Sequence, residues 1–178
     1  MIKLNFGAGS NKLKGWQNYD IEMDITKPLP FEDNSVDYIM NEHVLEHITQ
    51  QQGYSFMKEC FRILKPNGVM RTATPSISRI HVLEDDQYRN FVKHHGWGDG
   101  LKGCGLKSII FNFGHVCVYN EQMLYCMLQS VGFSPEITQI WQSKFPELRN
   151  LEMHGYVISH HFNNIETMCV DAQKPEQK

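Results

Sequence analysis

The chain has 178 residues, of which 41% are hydrophobic and 21% are charged, with a formal net charge of −3 and a pI near 6.3. This length supports one sizeable hydrophobic core, so we expect a single domain over residues 1–178. The charge provides no broad positive field, and we therefore expect neither nucleic acid nor an anionic membrane as a partner.

Cysteine usage and the apolar runs of the chain suggest where the protein works. Five cysteines are present, without a C-x-x-C pair. We expect neither a disulfide framework nor a four-thiolate zinc site, and this usage fits a reducing compartment. Residues 1–10 lack the apolar core of a signal peptide, and no apolar run approaches the length of a membrane span. The sequence therefore predicts a soluble, cytoplasmic protein.

The first third of the chain alternates short apolar runs with turn residues. Strands are predicted at residues 2–6, 15–20 and 36–40, with a rudimentary strand at 23–25. Thr49 and Gln52 match a capping box, which begins a helix with Met57, Cys60, Phe61 and Leu64 on its apolar face. Residues 65–68 end this helix before a strand at 69–74. This order predicts a parallel sheet with a crossover helix.

The second half of the chain contains two long irregular segments. Residues 76–118 read as an insertion that is part helix between 83 and 94 and glycine-rich between 94 and 108, where a mobile lid and a plain surface loop are both open. A helix is predicted at 121–131 between Asn120 and Gly132, and strands are predicted at 135–141 and 165–172. Residues 144–164 are predicted to form a long loop that carries function.

Glycines and an aspartate follow the first two predicted strands. Gly7 and Gly9 flank Ala8, and glycines at the carboxyl end of a parallel sheet allow a cofactor to approach the backbone. Asp20 ends the second strand, where a carboxylate accepts hydrogen bonds from ribose hydroxyls in nucleotide-binding sheets. The alternatives are an ordinary glycine turn and a solvated turn aspartate.

The stretch His43-Val44-Leu45-Glu46-His47 fits the zinc-protease pattern H-x-x-E-H. If this stretch is helical, His43 and His47 share a face and could bind one metal ion, with Glu46 as the base. A third protein ligand is required, and the spacing identifies none. The stretch also follows directly after a buried strand, which places His43 at a loop or helix entrance.

Five short segments of the first half occur in a recognisable order. They are Asn5–Ser10, Asn18–Ile21, Leu29–Ile39, Glu42–His47 and Arg62–Gly68. This series resembles the ordered motifs of class I S-adenosylmethionine-dependent methyltransferases, and is most similar to their short, truncated members of the methyltransferase type 11-like subgroup. The resemblance covers residues 2–75, with weaker similarity over 115–133. It departs from the family at Asn5, at Ser10 and Asn11, and at Asn67.

The resemblance implies a fold, a cofactor and a set of site residues. The fold is α/β, with a Rossmann-like, mostly parallel sheet, helices on both faces, an antiparallel C-terminal strand pair, and a trimmed segment between the family's first and fourth strands. The cofactor is S-adenosylmethionine, and S-adenosylhomocysteine is the product. The implied cofactor-binding residues are Phe6, Gly7, Ala8, Gly9, Asp20, Ile21, Asp24, Asn41, Glu42 and His43.

The predicted function is methyl transfer to a small-molecule acceptor, with an acceptor surface from residues 76–108 and 144–161. Such a reaction requires alignment and water exclusion, and a hydroxyl or amine acceptor also loses a proton. His43, His47 and His115 are the candidates for removing that proton, and a packing role is the alternative for each. Two other functions stay open: a cofactor-binding module or subunit without catalysis, which the departures favour, and the zinc peptidase.

Overall fold

The computed structural model describes residues 1–79 and 85–176, and the backbone alone at Leu106. Its centre is a six-stranded sheet in the order β2-β1-β3-β4-β6-β5. The strands are β1 (Lys3–Phe6), β2 (Gln17–Tyr19), β3 (Val36–Glu42), β4 (Leu64–Pro75), β5 (Ser134–Thr138) and β6 (Thr167–Gln173). β1 to β4 pair in parallel, and β6 is antiparallel to both of its neighbours. The predicted α/β class, with a mostly parallel sheet and an antiparallel C-terminal pair, is confirmed.

Helices connect these strands. They are α1 (Gln50–Ile63), α2 (Asp86–His94), α3 (Cys104–Phe111), α4 (Glu121–Val131), α5 (Gly155–Ile158) and α6 (His160–Glu166), with 3₁₀ turns at Leu45–His47, Ile77–Arg79 and Pro146–Leu148. Among the helices in the described part of the chain, none has both the length and the apolar character needed to span a membrane.

Two helices begin and end where their capping residues predict. Thr49 accepts a hydrogen bond from the backbone of Gln52, whose side chain accepts one from the Thr49 amide, so the predicted capping box opens α1. Asn120 caps α4 through the amide of Met123, and Gly132 ends this helix. Local hydrogen-bond chemistry therefore identified these boundaries correctly.

Several predicted strands differ in extent from the observed ones. The rudimentary strand at 23–25 is wrong: the Met23 amide bonds Asp20 and the Asp24 carboxylate bonds Thr26, so this segment is a turn. β4 begins at Leu64 and not at residue 69, because the chain leaves α1 directly into pairing with Val36. β5 ends at Thr138, three residues before the predicted end at Trp141.

The two segments predicted as irregular contain helices. α2 accounts for most of the helix expected over 83–94, of which residues 83 and 84 lie outside the described ranges. The glycine-rich stretch ends in α3, because Ile109 packs with Tyr88 and Val92 in a small apolar cluster of its own. The predicted loop at 144–164 contains α5 and the start of α6.

The main hydrophobic core lies on one face of the sheet, beneath α1 and α4. Fully buried side chains of the sheet, such as Leu4 and Ile39, pack there against Phe56 and Leu128. The other face is covered largely by irregular segments, whose Trp16 and Ile140 belong to the same packed cluster as strand residues. This packing fixes the sheet and leaves its carboxyl edge accessible.

Candidate active site

The carboxyl ends of four parallel strands meet at one edge of the sheet. β1, β2, β3 and β4 end at Phe6, Tyr19, Glu42 and Pro75. β6 is antiparallel and pairs Thr167 with Pro75, so its first residue lies at the same edge. The chain turns from one side of β1 to the other between β2 and β3, and this switch point is where α/β sheets bind ligands.

Gly7 follows β1 in a conformation that demands glycine. Its φ is +66°, and a Cβ atom at this position would lie 2.2 Å from Cγ2 of Val44. The backbone after β1 is thus packed closely against the segment after β3, and the Ala8 amide is tied to the carbonyl of Tyr19 at 2.8 Å. The ends of β1, β2 and β3 therefore form one rigid surface, the floor of the site.

A cavity of about 560 Å³, cavity A, lies above this floor. Its lining residues are Gly7, Asp20, Ile21, Met23, Asp24, Ile25, Thr26, His43, Val44, His47 and Ile48. Asp24 is committed to Thr26 and Lys27 in the local turn. The carboxylate of Asp20, in contrast, accepts no hydrogen bond from any side chain or amide that the structure describes. Asp20 is thus available to a ligand.

Cavity B adjoins cavity A at Gly7 and His43 and has a volume of about 350 Å³. Its lining residues are Gly7, Ala8, Gly9, Ser10, Asn11, Glu42, His43, Met153, His154, Tyr156 and Val157. Glu42 accepts hydrogen bonds from the amides of Met153 and His154 and from the side chain of Asn11. Burial raises the pKa of this carboxyl, and the two amides act in the opposite direction. Glu42 thus anchors the wall of the cavity.

Cavity C, about 150 Å³, is the smallest of the three and lies behind the histidines. Its lining residues are His43, His47, Pro75, Tyr88, Trp97, Ile109, Phe113, His115, His154, Val157, Ile158 and Glu166. Aromatic and aliphatic side chains of α2, α3, α5 and the loops beside them thus close a space against the sheet edge. The insertion and the late loop, which were predicted to supply the acceptor surface, both contribute to it.

His43 lines all three cavities. Its φ of +52° is an uncommon, strained value for a residue with a side chain, and such values cluster at functional sites. Nε2 lies 3.2 Å from the hydroxyl of Thr167, which itself donates to Asn163, so Nε2 must be the donor. Nδ1 lies 3.0 Å from Oε1 of Glu46, an ion-pair distance. Both ring nitrogens thus face acceptors.

The charges around His43 favour its protonated form. Burial lowers the pKa of His43, but the Glu46 carboxylate beside it, together with Glu166 and Glu42, outweighs this effect, and the net pKa is raised. The ring of His154 stacks on His43 with centroids 3.7 Å apart. Burial and the charge of His43 lower the pKa of His154 to about 3, so His154 is neutral at physiological pH and its approach to Glu166 at 3.7 Å is no ion pair there.

Glu166 closes the back of cavity C. Its Oε2 accepts a hydrogen bond of 2.6 Å from the hydroxyl of Tyr88, and both side chains are buried. Burial raises the pKa of Glu166, although the nearby His43 and Tyr88 lower it. A carboxylate with one oxygen facing the cavity is thereby held inside a largely apolar space.

Two of the predicted cofactor residues do not line these cavities. The Phe6 side chain is fully buried in the main core against Phe56 and Tyr19, so only its backbone lies near the glycine turn. Asn41 is also fully buried, and its amide donates to the hydroxyl of Thr72 and the carbonyl of Arg71. Both side chains therefore stabilise the sheet, Phe6 by packing and Asn41 by hydrogen bonds.

Tyr88, His154 and Glu166 join the site without a sequence signal of their own. His154 follows His43 by 111 positions, and no local spacing links the two. Topology offers one indication for Glu166, since an antiparallel last strand must start at the carboxyl edge. A carboxylate just before that strand could have been predicted to lie near the cavities.

The H-x-x-E-H residues adopt a geometry other than that of a zinc protease. His43 precedes the 3₁₀ turn Leu45–His47 and is not helical. Among the described residues, two groups of side chains have ligand atoms close enough for a metal ion, and His43 and His47 fall in different groups. The two histidines of the motif therefore do not converge on one ion.

Comparisons with known proteins relate part of this chain to a described family. Residues 7–72 match the family described as a methyltransferase domain. The chain is 42% identical over 57 residues to a protein of Mycolicibacterium smegmatis described as a probable S-adenosylmethionine-dependent methyltransferase. That match covers 32% of this chain and 21% of the relative, so the chain aligns with about a fifth of the relative's length.

Solved structures show the same fold at low sequence identity. An S-adenosylmethionine-dependent methyltransferase from Archaeoglobus fulgidus matches with a TM-score of 0.62 and 12% identity, over 97% of this chain and 85% of that chain. An S-adenosylmethionine-dependent methyltransferase from Mesorhizobium loti matches with a TM-score of 0.56 and 14% identity, over 97% and 90% of the two chains.

Residues 7–72 thus match the methyltransferase-domain family, and the chain has the fold of solved S-adenosylmethionine-dependent methyltransferases over 97% of its length. This family and fold imply S-adenosylmethionine as the cofactor and S-adenosylhomocysteine as the product. The residues present fit this cofactor. Gly7 adds no side chain to the floor of cavity A. Asp20 has a carboxylate without a hydrogen-bond partner among the described residues, of the type that binds ribose hydroxyls.

Proposed function

We propose that the protein transfers a methyl group from S-adenosylmethionine to a small molecule bound in cavity C. One observation carries this proposal: His43 lines the two cavities beside the glycine turn and also the cavity behind it. A methyl group at this junction would be reachable from an acceptor in cavity C. The combined site is of the size typical for small-molecule pockets.

We assign the nucleoside part of the cofactor to cavity A and the amino-acid part to cavity B. Asp20 would accept hydrogen bonds from the ribose hydroxyls, and the exposed side chain of Ile21 would cover the adenine. Gly7, Ala8 and Gly9 would lie along the amino-acid part. When bound, the cofactor supplies an electrophilic methyl group on a positively charged sulfur.

The walls of cavity C support a small and largely apolar acceptor. A volume of about 150 Å³ leaves space for a compact molecule, and Trp97, Phe113 and Ile109 supply apolar walls. Alignment in such a space can lower a barrier by about 7 to 11 kcal/mol. Positioning is therefore the main contribution that we assign to the protein.

Geometry distinguishes the histidines proposed to remove a proton. His43 faces acceptors with both nitrogens and has a raised pKa, which suits a positioned cation more than a base. Nδ1 of His115 lies 2.5 Å from the carbonyl of Ile109 and must donate to it, so Nε2 carries the free lone pair. Burial lowers the pKa of His115, which keeps this nitrogen unprotonated at neutral pH. We therefore assign proton removal to His115, with His47 beside it.

Calorimetry with S-adenosylhomocysteine tests the cofactor assignment. We expect saturable binding that Asp20→Ala weakens by roughly 10- to 150-fold, because a charge-assisted hydrogen bond contributes about 1.5 to 3 kcal/mol. Asp86→Ala, at a carboxylate with 81% side-chain exposure in α2, is the matched control and should bind like the unaltered protein. Absence of binding at millimolar ligand would refute the assignment.

Label transfer tests methylation itself. The protein is incubated with methyl-labelled S-adenosylmethionine and a metabolite extract, and a second sample receives the macromolecular fraction. We expect label in small molecules only. Intact cofactor binding without label in either fraction would instead support the module without catalysis, and label in macromolecules would contradict the acceptor class.

A further inference from the structure

We propose that Glu46, His47 and His115 bind one divalent transition-metal ion of the Zn²⁺ type at the rim of cavity C. The inference goes beyond methyl transfer, since metal binding requires neither the cofactor nor an acceptor. It also gives the H-x-x-E-H stretch a metal role that differs from the peptidase arrangement.

The three side chains lie close enough together to reach one metal ion after small side-chain movements. Their ligand atoms are all within 4.8 Å of one another. Two ligands at about 2.0 to 2.2 Å from a tetrahedral zinc ion lie about 3.3 to 3.6 Å apart, so closing the site requires the ligand atoms to approach one another by up to about 1.5 Å. The rings of His47 and His115 meet edge to face, with centroids 4.9 Å apart and planes at 76°.

A buried carboxylate oxygen points independently to a ligand. Glu46 is 1% exposed, and its Oε2 accepts a hydrogen bond of 2.9 Å from Thr74. Its Oε1 has no aligned hydrogen-bond donor among the described residues, although His43 Nδ1 lies 3.0 Å away. Buried carboxylate oxygens are normally satisfied by donors or by metal ions. Glu46 thus presents an oxygen that faces His43 without a well-aligned hydrogen bond, and a metal ion could share this oxygen with His43.

His115 is oriented in the manner of a metal ligand. Its Nδ1–H donates to the carbonyl of Ile109, which leaves Nε2 as the coordinating atom. Metal-ligating histidines usually donate their other ring N–H to a carbonyl or carboxylate, and this bond fixes the tautomer. Thr74 holds Glu46 in the same way. The groups that hold two of the three proposed ligands, the Ile109 carbonyl and the Thr74 hydroxyl, are therefore present.

The donor set and its exposure define the type of site. Two imidazoles and one carboxylate suit zinc and neighbouring transition metals more than calcium or magnesium, which prefer oxygen ligands. Only three protein ligands are supplied, and His47 is exposed at the surface of cavities A and C. The ion would keep an open coordination position, as catalytic zinc sites do.

The neighbouring group of His43, His154 and Glu166 is less suitable for a metal ion. The rings of His43 and His154 are stacked at 3.7 Å with planes only 23° apart. Imidazole lone pairs lie in the ring plane, so two stacked rings cannot direct them at one ion. Both nitrogens of His43 also already face acceptors.

The metal ion and the proton would compete for the same atom. Nε2 of His115 is the lone pair that we assign to proton removal, and a bound ion would occupy it. In the metal-loaded protein an acceptor oxygen or nitrogen could bind the ion directly. This contact would lower the pKa of the acceptor group, which could then lose its proton without a histidine base. The proposed methyl transfer is compatible with either arrangement. Metal binding can be measured in the absence of methyl transfer.

Titration of the chelator-treated protein tests the site. Zn²⁺ is followed by calorimetry, and Co²⁺ by its visible absorption, which reports nitrogen and oxygen coordination. We expect one ion per chain. His47→Ala should weaken binding by more than about 100-fold, above the 10- to 100-fold range for loss of an outer partner. His47 is exposed, so this variant should fold, and a thermal melt verifies it. His115→Gln should have the same effect.

Two control variants make the outcome specific to these ligands. His161→Ala, at an exposed histidine outside both candidate groups, should leave binding unchanged. His154→Ala removes a member of the other group and should also preserve binding. The proposal is overturned if no ion binds, if His47→Ala and His115→Gln bind as tightly as the unaltered chain, or if His154→Ala abolishes binding.

Discussion

Replacement of Gly7 by alanine is the perturbation that the site geometry constrains most closely. Gly7 has φ of +66°, and an added Cβ would lie 2.2 Å from Cγ2 of Val44. The left-handed conformation costs about 1 to 2 kcal/mol for a residue with a side chain. Overpacking against Val44 costs about 1 to 3 kcal/mol more. We therefore expect Gly7→Ala to lower the free energy of unfolding by about 2 to 5 kcal/mol.

Gly9 provides the matched comparison. Its φ is +47°, but an added Cβ would meet no atom within 4 Å. Gly9→Ala should therefore cost only the backbone strain, partly offset by about 0.4 to 1 kcal/mol from the reduced entropy of the unfolded chain. The difference between the two variants isolates the steric contact with Val44.

Urea denaturation of both variants, and of Val44→Ala with and without Gly7→Ala, measures this contact. Removing the Val44 methyl groups should restore part of the stability lost in Gly7→Ala. The interaction free energy between the two substitutions should be about 0.5 to 3 kcal/mol. Equal stabilities for Gly7→Ala and Gly9→Ala, or a coupling of zero, would refute the close approach of the β1 and β3 ends.

Two further predictions concern the support of the site. Arg71 is fully buried between Glu152 and Asp171, so Arg71→Met should lower the free energy of unfolding by about 3 to 5 kcal/mol, or the melting temperature by about 6 to 20 °C. Arg149→Met, at an exposed position, is its control, and a loss below about 1 kcal/mol for Arg71→Met would contradict the buried network. The Arg62 hydrogen bond lowers the pKa of Glu59, so the stabilisation by this carboxylate is present above its unfolded pKa and is lost as pH falls through the folded one. Glu59→Gln should thus destabilise the protein by about 1 kcal/mol at pH 7, and a difference that persists unchanged below pH 4 would be inconsistent with this pairing.

Residues with local signals were placed well by sequence. The cap at Thr49, the cap at Asn120 and the stop at Gly132 depend on hydrogen bonds within a few residues, and the structure has all three. The ordered motifs also indicated that the ends of β1, β2 and β3 meet at one edge. Short-range chemistry and strand order were sufficient to predict these helix boundaries and the shared edge of the sheet.

Residues that depend on long-range packing could not be placed in the same way. In the sequence, Arg71 is a charged residue within an otherwise buried strand. Its pairing with Glu152 and Asp171 is a long-range contact that only the structure shows. The glycine-rich stretch was predicted as a loop because α3 depends on packing against α2, and no local pattern reports that contact. His154 belongs to the site only because Glu42 holds its backbone.

The pattern H-x-x-E-H shows how context changes the meaning of a motif. Its spacing fits a helix, but β3 runs to Glu42 and leaves His43 in a left-handed conformation at the strand end. His43 and His47 therefore face different neighbours, His154 and His115 respectively. Spacing alone could not distinguish these two arrangements.

A crystal structure with S-adenosylhomocysteine tests the central claim most directly. We predict that the adenosine occupies cavity A with its ribose hydroxyls on the carboxylate of Asp20, and that the sulfur lies beside His43 and faces cavity C. A ligand bound elsewhere, or one whose sulfur is separated from cavity C by the side chain of His43, would contradict it.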